Sequence, residues 1–69
     1  MLKYNTRKTF EIEGLGKMTM EASTWNYFSM ICAEASEHYY AMHLEGLGDM
    51  AKRRADEIYN KLSELGMYD

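Results

Sequence analysis

With 69 residues, a formal net charge of −3 and one cysteine, the chain excludes several classes of protein at once. It is long enough for a single domain over 1–69, in which folding hides only about 60% of the surface the unfolded chain exposes. Cys32 has no partner for an intrachain disulfide, so a second subunit or a bound partner is the expected source of extra stability. The lone thiol and the absence of an apolar leader in Met1-Leu2-Lys3-Tyr4-Asn5-Thr6-Arg7-Lys8 lead us to expect a cytoplasmic protein. No run approaches the ~20 apolar residues of a membrane span, so no membrane association is expected.

Residues Lys8 to Glu21 read as a β-hairpin. Phe10, Ile12, Met18 and Met20 alternate with polar residues at period two, around the turn Gly14-Leu15-Gly16. The expected register pairs Glu13 with Lys17, Ile12 with Met18, Glu11 with Thr19 and Phe10 with Met20. All four apolar side chains then share one face. A two-stranded hairpin is not stable alone, so a helix must cover that face.

A helix is predicted from an N-cap at Ser23 or Thr24 to about Leu44. Trp25, Phe28, Cys32, Ala35, Tyr39 and Met42 form its apolar seam, widened by Ile31. Tyr27, Met30, Ala33, Tyr40, Ala41 and Leu44 make the other sides apolar as well. Such a helix should be central. Glu45-Gly46-Leu47-Gly48 then reads as a tight break, and Asp49 as the cap of a second helix over 49–65. Leu47, Ala51, Ala55, Ile58, Leu62 and Leu65 form its stripe, and Glu57 and Lys61 sit in the favourable i,i+4 order. Gly66 suits a left-handed C′ position, with Met67 folding back on Leu62. The expected fold is α+β, an N-terminal β-hairpin packed on a two-helix antiparallel hairpin (ββαα).

Chemistry-bearing residues are sparse. His38 and His43 are five apart, about 140° around a helix, and diverge as metal ligands. Cys32 falls on the core seam with no base placed beside it, and Ser29 and Ser36 have no partner. Neither Gly-Leu-Gly turn is followed by the Lys-Ser/Thr of a phosphate loop. No enzyme activity, cofactor or metal site is therefore expected. Lys52, Arg53 and Arg54 are the candidate nucleic-acid or nucleotide contacts, although Asp49, Asp56 and Glu57 are placed to neutralise them.

Seven Met and six Tyr, with Tyr27, Met30, Tyr40 and Leu44 left over on the first helix, mark that helix as adhesive. These four residues are the expected centre of a homodimer or of a protein-binding site. The C-terminal segment Ala55-Asp56-Glu57-Ile58-Tyr59-Asn60-Lys61-Leu62-Ser63-Glu64-Leu65-Gly66-Met67-Tyr68-Asp69 resembles the endings of short reading frames of phages and mobile elements. That setting includes anti-CRISPR and anti-restriction inhibitors. The resemblance implies a non-catalytic inhibitor that binds a protein or nucleoprotein complex of host defence. The alternatives are a small dimeric nucleic-acid-binding regulator and a nucleotide sponge.

Overall fold

The computed structural model describes residues 5–68. Part of the N-terminal stretch weighed above as a leader, and Asp69, lie outside the described residues. The chain forms β1 (Arg7–Ile12), β2 (Gly16–Glu21), α1 (Ala22–Ala41) and α2 (Glu45–Glu64), which is the expected ββαα order. No helix among the described residues is long and apolar enough to cross a membrane.

The strands pair antiparallel, with the apolar face as expected and the register displaced. Ile12 lies opposite Gly16, Glu11 opposite Lys17, Phe10 opposite Met18 and Thr9 opposite Thr19. The turn is centred on Glu13-Gly14. The Leu15 N–H bonds the Ile12 carbonyl at 2.9 Å, and Gly14 at φ 79° occupies the third turn position, where positive φ is required. Each partner moves by two residues, so the alternation of faces is preserved. The charge pair is now Glu11 with Lys17, and Glu13 is released to face the helices. On the outer face the Thr9 and Thr19 hydroxyls bond each other at 2.6 Å.

The hairpin covers one end of the helix pair. Phe10 and Ile12 join Ala22 and Trp25 of α1, Ile58 and Leu62 of α2, and Met67 in one buried cluster. The Trp25 ring sits 4.9 Å from Phe10, and its indole N–H donates to the Lys8 carbonyl at 2.9 Å, so its polar atom is not stranded. The Lys61 ammonium lies 5.9 Å from the Phe10 ring centre, covering the aromatic edge of the cluster.

The N-cap of α1 is Glu21, two or three residues before the expected Ser23 or Thr24. Two free N–H groups of its first turn are satisfied from the chain ahead of β1. The Thr6 carbonyl accepts from Ala22 N–H at 2.8 Å, and the Asn5 side-chain oxygen accepts from Ser23 N–H at 3.0 Å. Asn5 also donates to Glu21 at 2.9 Å. This cap is built across the sheet instead of locally.

The break between the helices is Met42-His43-Leu44, not Glu45-Gly46-Leu47-Gly48, and α1 stops at Ala41 short of Leu44. His43 takes the left-handed conformation (φ 62°), its N–H bonds Tyr40 at 3.0 Å, and Leu44 N–H bonds Tyr39 at 2.9 Å. These bonds form a Schellman motif with a histidine where glycine is usual. α2 ends the same way at Gly66 (φ 69°), with Met67 N–H on the Leu62 carbonyl at 3.1 Å and Met67 buried, as expected.

Gly46 and Gly48 lie inside α2. At Gly48 the reason is contact: a Cβ there would stand 2.8 Å from the Tyr40 ring. Asp49, read as a cap, accepts instead from the Tyr40 hydroxyl. Small residues carry the helix contact along this seam. Ser29 and Ser36 are buried, donating to the Ala55 carbonyl at 2.9 Å and the Gly48 carbonyl at 2.8 Å. Ala51 and Ala55 complete the buried seam on α2.

Candidate functional surface

The structure separates the residues that the sequence grouped together. On α1, Tyr27 and Met30 are 63% and 55% exposed, and Ile31, expected in the seam, joins them at 42%. At about 100° per residue, these three and Glu34 and His38 share the face turned away from α2. Tyr40 is about 140° around the helix from Tyr27 and roughly 20 Å along it. Its ring lies on Gly48 and its hydroxyl on Asp49, so α2 holds it. Leu44 sits past the end of α1 beside the exposed Met42 and Leu47. The expected four-residue patch is thus three places: an outer α1 face, a packed tyrosine and an apolar corner at the interhelix turn.

The basic run also divides, with Lys52 parted from Arg53 and Arg54, which converge on Glu13. Successive residues diverge by about 100° on a helix, so Lys52 and Arg54 point to nearly opposite sides of α2. The Arg54 Nε donates to the Glu13 carbonyl at 3.1 Å, and Arg53 pairs with the Glu13 carboxylate at 3.3 Å. The displaced hairpin register is what delivers Glu13 to both. Among the described residues Arg53–Glu13 is the one ion pair, and its exposure limits its worth to under about 1 kcal/mol.

Lys52 instead lines a cleft of about 290 Å³ between the helices, together with Ala33, Ser36, Glu37, Tyr40, Ala55 and Asp56. Sequence reading missed it because its walls come from residues on two helices, 12 to 23 positions apart, whose apposition depends on the helix register. Tyr40 forms one wall. The Asp49 carboxylate that accepts its proton, and the nearby charges of Asp49 and Glu45, push its phenol above the usual tyrosine range.

The thiol of Cys32 is buried between the helices, and burial pushes it up despite the opposing Arg54 guanidinium. That is the environment of a protonated thiol. No group of three His, Cys, Asp or Glu among the described residues is placed to hold a metal ion. Tyr59 of α2 stacks on Tyr68 of the tail at 5.1 Å, and the Tyr68 hydroxyl donates to Asn26 at 2.8 Å, tying the tail to α1. No protein-family model matches the chain, and neither a curated protein nor a solved structure matches it.

Proposed function

We propose that the protein is a small non-catalytic protein-binding module that pairs with a second copy of itself through α1. The observation that carries this reading is the exposure of Tyr27, Met30 and Ile31 on one face of a helix packed on its other side. Apolar groups gathered this way lose roughly 25 cal/mol per Å² left in water, which a partner returns. The face is compatible with itself. Crossing two copies antiparallel about a twofold axis between Met30 and Ile31 sets Tyr27 against Glu34 and Ser23 against His38 of the second copy. In that register every facing charge meets a neutral polar group.

The phage-like C-terminal segment supplies the class of foreign target to try first, a bacterial host-defence complex blocked by stoichiometric binding. Glu13 engages both Arg53 and Arg54, and Lys52 points to another side of α2, which speaks against the three acting as one basic site for a nucleic-acid regulator or a nucleotide sponge. Immobilised protein should retain a bacterial protein complex in fixed stoichiometry. Repeated recovery of nothing, or of nucleic acid whose retention falls steeply with salt, would overturn the reading.

A further inference from the structure

We propose that the cleft between α1 and α2 seats an arginine side chain of the foreign partner, an inference that rests on the protein-binding reading above. The cleft lies on the side of the helix pair away from the β-hairpin, as the opposed directions of Lys52 and Arg54 show. About 290 Å³ is the small end of the range for ligand sites, room for one side chain and not for a cofactor. Ala33 and Ala55 line it without long side chains, leaving space for an aliphatic stem. Tyr40 is a wall already fixed by Gly48 and Asp49, so its ring loses no freedom on binding. A planar guanidinium stacks on such a ring better than an ammonium does.

Charge selects the same occupant. Glu37 and Asp56 line the cleft against the single cation Lys52, and Asp49 stands behind Tyr40. The carboxylates of Glu37 and Asp56 suit the charged donors of a guanidinium, and an acidic side chain would meet them as like charges. A second copy would bring its own Glu37, Asp56 and Lys52 to the cleft, so like net negative charge would meet across the axis.

The experiment is an amide chemical-shift titration of the whole chain with N-acetylarginine methylamide and, in parallel, N-acetylglutamate methylamide at millimolar concentration. Arginine should shift Ala33, Ser36 and Ala55 but not Tyr27 or Ile31, and glutamate should shift none of them. Asp56→Asn should weaken arginine binding about two- to fivefold, and Lys52→Ala should tighten it by a similar factor. Unmoved cleft amides, equal response to glutamate, or weaker binding in Lys52→Ala would overturn the cleft assignment. Retention of a protein complex from lysate, unchanged in Asp56→Asn, would overturn it too while leaving the protein-binding reading intact.

Discussion

The two ends of the helix pair are held by different physics. At the hairpin end, Trp25, Ile58 and Leu62 are fully buried against Phe10 and Ile12, and large side chains fill the space between helices and sheet. At the far end no sheet covers the helices. Contact there runs through Ser36, Gly48 and the Tyr40 ring, and Met42, Leu44 and Leu47 are left exposed. Close backbone approach with few buried methylenes gives that end less hydrophobic stabilisation. The cleft lies toward that end, where stability is lower and surface is available. Cohesion is concentrated at one end of the helix pair, and the proposed cleft lies toward the other.

Substitutions at the two ends should differ in size and in sign. Trp25→Ala at the hairpin end should cost about 3–5 kcal/mol, a large share of the stability of so small a domain. Urea denaturation would read this as a lowered midpoint or outright loss of the transition. A cost under about 1 kcal/mol would mean the stability lies elsewhere. At the far end, Gly48→Ala should destabilise by about 1 kcal/mol, a clash with the Tyr40 ring only partly offset by alanine's better helix propensity. In a Tyr40→Ala background the same change should become stabilising, and an unchanged sign would show that the ring is not what requires glycine.

Smaller still, His43→Gly removes a side chain from a left-handed position and should stabilise by about 0.5–1 kcal/mol, raising the thermal midpoint by a few degrees. The smallest effect is spectroscopic. The phenols of Tyr40 and Tyr68 are both raised, the first by its bond to Asp49 and the second by burial and by Tyr59. Their folded values exceed the unfolded value near 10. Their contribution to stability is therefore complete below about pH 10 and lost as pH rises through the folded values. In an ultraviolet titration Tyr40 and Tyr68 should ionise late, and Asp49→Asn should bring Tyr40 back.

Local pattern carried much of this fold. Period-two alternation placed Phe10, Ile12, Met18 and Met20 on one face even with the register displaced, because a shift of two keeps parity. Gly66 and Met67 announced their motif within a few residues. What the sequence hid was set by distant contacts. Ser29 and Ser36 read as polar, and they are buried because two helices approach closely enough for them to bond the opposite backbone. Gly48 read as a turn and is instead the floor under Tyr40. Asn5 caps a helix that starts 17 residues later. The candidate surface was legible only in part: Tyr27 and Met30 are exposed as expected, but Tyr40 belongs to another face, and Ile31 takes its place.

The outer face of α1 is the surface on which the functional reading stands, and sedimentation velocity at micromolar concentration tests it most directly. The wild-type chain should run as a dimer, and Met30→Glu should run as a monomer. Leu47→Glu, at an exposed leucine of α2, should stay dimeric. A wild-type monomer throughout the range, or a dimer indifferent to Met30→Glu, would contradict the assignment of that face to self-association.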